Sequence, residues 1–388
     1  MKVLARLETP PGLTDAERQV LDSVRAVARE KMAPRTAAFD RDATFPWPNI
    51  EDINGLGLNA MFVPEAHGGT PLSYTTYLAC VLEIAMACPA TAIIWATNFH
   101  AMKPVIDFGT DDQMARFLPP IVAGALASLC ITEPHAGSDA TGMHTRFIPD
   151  GDDILVEGGK TFITSGDVAD LYLIFGKWSA IDDPKAAISV LVMEKDTPGL
   201  SAPRTEDKMG VRASSTAQLV FESCRVPRAN LIGAPGDGLR ILFSALNKSR
   251  PSVAAQSLGI ARAAFDDAVA YANQRQQSGR PVLDFQGIQF MVADLATEIA
   301  LVQSWLWRVG GMIDGGEADV GLESSMLKMR ASDLAVKAAT DAVQIHGGYG
   351  YLKDSRVERL YRDAKITQIW EGTNQIHRQL IGRGFIDR

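Results

Sequence analysis

The spacing of apolar residues along this chain changes twice. From about Thr14 to Ala125 the pattern is helical, with Asp15, Thr110 and Asp111 at plausible cap positions. Pro10, Pro11, Pro46, Pro48 and Pro64 cut this stretch into separate pieces. From about Ser128 to Leu231 the runs become short and alternating or wholly apolar: Ile154-Leu155-Val156, Leu171-Tyr172-Leu173-Ile174-Phe175, Ile188-Ser189-Val190-Leu191-Val192 and Gln218-Leu219-Val220-Phe221. Gly, Asp and Pro separate them, which predicts strands arranged as an antiparallel barrel or sandwich. From about Gly238 the helical period returns. Phe285, Ile288, Val292, Leu295, Ile299, Val302, Leu306 and Val309 predict one long helix with an unbroken seam, followed by a turn at Gly310, Gly311, Gly315 and Gly316. Leu258, Ala261, Phe265, Ala268 and Ala272 predict another after Pro251. The expected class is α+β: a helical domain over 1–126, a β domain over 127–238 and a four-helix bundle over 239–388.

Composition narrows the function. The 388 residues are 46% apolar and 22% charged, ordinary for a globular protein with a sizeable core. The net charge is -8 with no basic stripe, which argues against nucleic acid as a partner. The best apolar run, Ala90 to Ala96, is far below the ~18 residues of a membrane span. The first residues, Met1 to Glu8, are broken by charge and do not read as a signal peptide. Cys80, Cys88, Cys130 and Cys224 lack metal or redox spacing and read as reduced, buried thiols of a cytoplasmic protein.

Several motifs fail on inspection. Gly159-Lys160-Thr161 resembles the end of a phosphate loop, but Ile154 stands where its first glycine belongs. No dinucleotide glycine fingerprint follows a strand, and no G-x-S-x-G is present. His67, His100, His135, His144, His346 and His377 have no metal-ligand spacing, so no metal is expected. Five segments remain: Ile131-Thr132-Glu133-Pro134-His135-Ala136-Gly137-Ser138-Asp139; Lys160-Thr161-Phe162-Ile163-Thr164-Ser165-Gly166; Arg275-Gln276-Gln277-Ser278-Gly279-Arg280-Pro281 with Phe285-Gln286; Gln344-Ile345-His346-Gly347-Gly348-Tyr349-Gly350; and Ile369-Trp370-Glu371-Gly372-Thr373-Asn374-Gln375. Taken singly, each reads more readily as a turn or cap than as a site. Together they repeat small residues and uncharged donors, which suit a planar cofactor with a diphosphate. Glu371 follows Ile369 and Trp370, and a carboxylate among apolar neighbours sheds water and becomes a stronger base. Gly372 after it allows close approach.

All five segments, in this order and at this spacing, resemble the acyl-CoA dehydrogenase flavoprotein family. The likeness covers nearly the whole chain. It is strongest from Asn247 to Arg383, where Ser249-Arg250-Pro251 and Asp341-Ala342-Val343-Gln344-Ile345-His346-Gly347-Gly348 look like short- and medium-chain members. The resemblance implies a helical N-terminal domain, a central antiparallel β-barrel and a C-terminal four-helix bundle. It also implies FAD as cofactor, an acyl-CoA substrate, electron-transfer flavoprotein as acceptor, and a homotetramer.

Residue roles follow from the same likeness. Glu371 occupies the place of the base that takes the α-proton, with the thioester oxygen near its backbone N–H. Ile131, Thr132 and Thr164 match contacts to the flavin ring, and Phe162 stands where tryptophan is usual beside it. Ser138 matches a contact to FAD phosphate or to the substrate's pantetheine. Arg275, Gln286, Gln344 and Gly348 match residues that hold the diphosphate and adenosine of a neighbouring copy's FAD. Thr373 and Gln375 match adenosine-side and phosphate-side contacts. Arg250 matches an arginine lining the thioester pocket, while Asn247, Trp370 and Gly372 complete the substrate side. Some relatives carry the base near position 249, which here is Ser249. Departures are His135 for glycine, Ser278 for phenylalanine, Asn247 for aspartate and Trp370 for tyrosine. Trp95, Phe99 and His100 are expected near the acyl end, where their bulk favours a short, branched or ring-bearing acyl group. The rival expectations are an oxidase, an enoyl-CoA reductase or a desulfinase on the same fold, or a non-catalytic FAD-binding protein.

Overall fold

The computed structural model describes Leu4, residues 8–317 and residues 319–386; most of the charged N-terminal stretch lies outside them. Thr14, rather than Asp15, caps the first helix, α1 (Asp15–Val27). Its hydroxyl accepts from the Glu17 N–H at 3.2 Å, and Glu17 accepts from the Thr14 N–H at 2.9 Å. Asp15 instead lies in the first turn, where its charge suits the positive end of the helix. A single π turn over 28–32 carries the chain into α2 (Ala33–Asp42), and α3 (Trp47–Gly55) follows. The next two helices, α4 (Tyr74–Ala87) and α5 (Pro89–Phe108), are buried on nearly every face, as helices without a polar stripe must be. Thr110 caps α6 (Asp111–Val122) as its sequence suggests.

The middle of the chain forms seven strands: β1 (Ala127–Cys130), β2 (Arg146–Asp150), β3 (Asp153–Thr164), β4 (Leu171–Trp178), β5 (Ile188–Glu194), β6 (Leu200–Thr205) and β7 (Thr216–Pro227). The expectation of a purely antiparallel barrel is corrected here. β4 pairs parallel with β1 and with β2, and antiparallel with β5. The remaining pairs, β2–β3, β3–β7 and β6–β7, are antiparallel. Among the described residues no ladder joins β5 to β6, so the mixed sheet is not closed by strand pairing. In each parallel pair at least one whole strand intervenes in the chain, β2 and β3 between β1 and β4 and β3 between β2 and β4, so no hairpin joins the partners.

The C-terminal part holds α7 (Gly238–Gln274), α8 (Gln286–Asp314), α9 (Gly321–His346), α10 (Arg356–Ile366) and α11 (Asn374–Arg383). Among the described residues five helices follow the sheet, and α7 packs on α4 and α5 as well as on α9. Pro251 lies inside α7. The seam of α8 is buried from Leu295 to Val309, but Gly310 and Gly311 belong to the helix and not to a turn. A Cβ at Gly310 would sit 2.6 Å from Thr75 Oγ1, so that glycine sets how closely α8 approaches α4. Arg275 leads into a two-stranded hairpin, β8 (Gln276–Gln277) and β9 (Arg280–Pro281), whose turn residues Ser278 and Gly279 both have positive φ, 52° and 79°.

Candidate active site

Between α10 and α11 the chain makes a left-handed double step, with φ 52° at Glu371 and 94° at Gly372. For a glutamate this conformation costs roughly 1–3 kcal/mol and persists only when the surroundings enforce it. A Cβ on Gly372 would come within 3.1 Å of His377 Nε2, so a side chain there is strained and crowded. Lys328, on α9 and fully buried, donates to the Gly372 carbonyl at 2.7 Å and to Asn374 Oδ1 at 3.2 Å. Asn374 Nδ2 in turn donates to Ser332 Oγ and Asp333 Oδ1. Thr373 caps α11 by accepting from the Ile376 N–H. The Glu371 N–H makes no hydrogen bond among the described residues.

The sequence suggested apolar surroundings for Glu371; the structure corrects this. Ile369 points to solvent, and Trp370 packs with a small cluster of Cys88, Ala90, Val211 and Ala213. The carboxylate instead accepts from Ser249 Oγ at 2.6 Å and lies 3.9 Å from His100 Nδ1, with buried Arg250 and Lys328 within electrostatic reach. Burial pushes the Lys328 ammonium down to about 7, only partly opposed by attraction to Glu371. Burial also lowers Arg250, against the pull of Glu371, and pushes His377 down to about 3, helped by Lys328 and Arg250. Arg250 donates to Asn247 Oδ1 at 3.2 Å, and its Nε is buried without a partner.

Beside His100 lies an aromatic cluster. Tyr77 stacks near Trp95 and Phe99 with ring centroids 5.2 and 4.7 Å away. The Tyr77 hydroxyl and the Trp95 indole N–H are buried without partners. Sequence reading placed Trp95, Phe99 and His100 together as bulk; it missed that His100 faces the carboxylate. It also missed Lys328 and Tyr77, because a lone Lys or Tyr on an apolar helix carries no motif.

The sheet supplies a second set of groups. The loop after β1 is anchored by a buried ion pair: Lys160 Nζ donates to Glu133 Oε1 at 2.7 Å and to the Ile131 carbonyl at 3.0 Å. Burial opposes ionisation of Glu133, but Lys160, Thr145 and the His144 N–H outweigh it and hold the carboxyl near 2. The Thr161 N–H donates to the Thr132 carbonyl at 2.8 Å, which brings Ile131 and Thr132 against β3. There Phe162, at a bulge between β3 and β7, has φ 59° and is 64% exposed. Ser165, just past Thr164, also has positive φ, and its hydroxyl is buried without a partner. Ser138 is exposed in the loop after β1. An exposed ring held in a strained backbone beside uncharged groups fits a planar cofactor.

Arg275 and Gly348 meet elsewhere. They line a cavity of about 440 Å³ with Tyr271, Ile345, His346 and Tyr349, where His346 stacks on Tyr271 at 4.2 Å. Gly348 has open space on its Cβ side. Gln286, Gln344 and Gln375 are exposed. Ser249, which touches Glu371, and Arg275 are at opposite parts of α7, roughly 40 Å apart at the helical rise. The structure therefore does not bring the five segments into one place within one chain.

Fold and site together define an oxidoreductase in which a strained, hydrogen-bonded carboxylate stands among buried cations. Models of the acyl-CoA dehydrogenase N-terminal, middle and C-terminal domains match residues 14–125, 128–224 and 236–386. An acyl-CoA dehydrogenase of Bacillus subtilis is 41% identical over 93% of this chain and 95% of its own length. An acryloyl-CoA reductase (NADH) of Anaerotignum propionicum is 37% identical over 97% of this chain and 96% of its own. The structure of butyryl-CoA dehydrogenase from Megasphaera elsdenii superposes with a TM-score of 0.94 at 34% identity, covering 98% of this chain and 100% of that one. The chain belongs to the acyl-CoA dehydrogenase family, whose members are FAD-dependent flavoproteins.

Proposed function

We propose that this enzyme dehydrogenates an acyl-CoA thioester to the 2-enoyl-CoA, with Glu371 as the base that takes the α-proton. The observation that carries this reading is the Glu371 carboxylate itself, held at positive φ, hydrogen-bonded by Ser249 and flanked by Arg250 and Lys328. The Ser249 hydroxyl holds one carboxylate oxygen, and Arg250 and Lys328 place positive charge beside it. The free Glu371 N–H is a donor to the thioester oxygen, where charge develops as the α-proton leaves. Bound FAD supplies the acceptor for the β-hydride. Ile131, Thr132, Phe162 and Thr164 would hold its ring, with Ser138 toward its phosphate or the pantetheine and Thr373 and Gln375 toward its nucleotide side. Asn247, Arg250, Trp370 and Gly372 would face the thioester and CoA.

The separation of about 40 Å along α7 exceeds the reach of one dinucleotide. Arg275, Gln286, Gln344 and Gly348 would then serve the FAD of a second copy, in a homotetramer. The aromatic floor of Tyr77, Trp95 and Phe99 favours a short or compact acyl group. Electron-transfer flavoprotein or a similar carrier would take the electrons. The four cysteines are free and buried, which supports a reducing, cytoplasmic setting. Domain divisions at 126/127 and 238/239 complete the reading.

Anaerobic bleaching of the flavin by a panel of acyl-CoA thioesters, run on wild type and Glu371→Gln, tests it. The variant keeps FAD and acyl-CoA but loses ~10²–10⁴-fold in flavin reduction. Reduction at wild-type speed would remove Glu371 as the base. A second reading is the same chemistry run toward the saturated thioester, favoured by the 37% identity to an acryloyl-CoA reductase. Net enoyl-CoA consumption with a reduced carrier, and no bleaching by any saturated thioester, would select it.

A further inference from the structure

We infer that His100 is a positioning residue for the base: its Nδ1 lone pair accepts a hydrogen bond from Glu371 once, and only once, Glu371 has taken the proton. This rests on the reading of Glu371 as the base. The direction of each bond follows from the partners. Ser252 Oγ lies 2.7 Å from the Ser249 carbonyl, which can only accept, so the Ser252 hydroxyl donates there. With that donation made, Ser252 Oγ accepts from His100 Nε2, 2.6 Å away. That assigns the ring proton to Nε2. Nδ1, without a proton, faces Glu371 Oε1 at 3.9 Å. The other carboxylate oxygen, Oε2, is held by the Ser249 hydroxyl.

Two lone pairs facing each other at 3.9 Å make no hydrogen bond, and they stand farther apart than donor and acceptor would. When the substrate Cα–H bond breaks, its electron pair enters the new double bond and the proton forms an O–H bond on Glu371. Turning that O–H toward His100 and closing the gap converts the pair into donor and acceptor. Burial lowers the basicity of His100, so the proton stays on Glu371. The other groups around the carboxylate act the opposite way. Arg250 from α7 and Lys328 from α9 favour the ionised form. Tyr77 from α4 is held neutral by burial, and His377 from α11 is neutral as well. The His100 interaction thus appears with proton transfer, where it lowers the barrier instead of tightening the ground state.

The test uses the FAD-loaded enzyme, butyryl-CoA as probe and stopped-flow flavin reduction across pH. Leucine fills the site without an acceptor. Asparagine places an amide oxygen near the Nδ1 position, whereas glutamine reaches toward Nε2. His100→Leu and His100→Gln should move the midpoint of the rate's rise with pH downward by about half a unit to one unit. They should also lower the plateau about three- to five-fold, the size of one hydrogen bond. His100→Asn should keep the wild-type midpoint. A wild-type midpoint in both Leu and Gln variants, an upward move, or equal shifts in all three would overturn the inference. If His100→Leu does not fold, the Asn and Gln pair decides alone. Failure of the parent reading is separate: it would show as rapid flavin reduction by Glu371→Gln whatever stands at position 100.

Discussion

Replacing Lys328 with methionine separates the two jobs that this buried ammonium performs. Its fall from an ordinary 10.5 to about 7 corresponds to about 5 kcal/mol against the charged form in the folded protein. Its two hydrogen bonds, to the Gly372 carbonyl and to Asn374 Oδ1, return an amount of the same order at ~1.5–3 kcal/mol each. Near neutral pH these nearly cancel, so Lys328→Met should fold with close to wild-type stability. The pH dependence should differ. Because the folded value is depressed, the unfolded chain holds a proton between pH 7 and 10.5 that the folded chain has released. Wild-type stability therefore gains up to ~1.4 kcal/mol per pH unit above 7 from this group, and the gain is absent below it. The variant lacks that gain and should trail wild type by about 2–3 kcal/mol more at pH 9 than at pH 7. Denaturant midpoints of the FAD-loaded proteins at the two pH values measure this. Flavin reduction should fall as well, because the Gly372 carbonyl then loses the donor that helps pin the left-handed step at Glu371 and Gly372. Parallel stability–pH curves for the two proteins would refute the reasoning.

Two further outcomes concern other parts of the molecule. Lys160→Met leaves Glu133 buried without its partner and should cost ~3–5 kcal/mol, while the double variant with Glu133→Gln recovers part of it; thermal melts of the four proteins give the coupling directly. Arg275→Ala should reduce FAD retention and the assembled mass together, read by absorbance and light scattering, and loss of FAD from an intact assembly would speak against a cofactor shared between copies.

The helices and strands were legible because burial imposes a period. The α8 seam from Leu295 to Val309 is buried as its spacing requires, and the strands around Ile154, Leu171, Ile188 and Leu219 fall where apolar runs place them. What failed was information that spacing does not carry. The parallel partners of β4 are set by connections across the fold. Gly310 was read as a turn, yet it is a contact point with Thr75 on another helix. Glu371 was identifiable from its segment, but its surroundings were not. Ser249 is 122 residues away, and His100, Arg250 and Lys328 come from three different helices. Local sequence suggested an apolar setting, whereas long-range packing delivered a polar one.

Asp314, the last residue of α8, accepts from the Tyr74 N–H at 2.5 Å, and from the Thr75 N–H and hydroxyl at 3.0 and 2.6 Å, across 240 and 239 residues of chain. It thus completes the start of α4 from the far side of the sequence. At ~5–20 residues per second, a ribosome needs roughly 10–50 s to travel from α4 to Asp314. Ser73 caps α4 locally by accepting from the Thr76 N–H, but for that interval the Tyr74 and Thr75 N–H groups lack their Asp314 acceptor, and α4 and α5 lack the covering that α7 brings. The newborn chain therefore carries its most apolar helices without the α7 cover while the whole sheet is being made, and closure of the N-terminal half waits on residues from the C-terminal part.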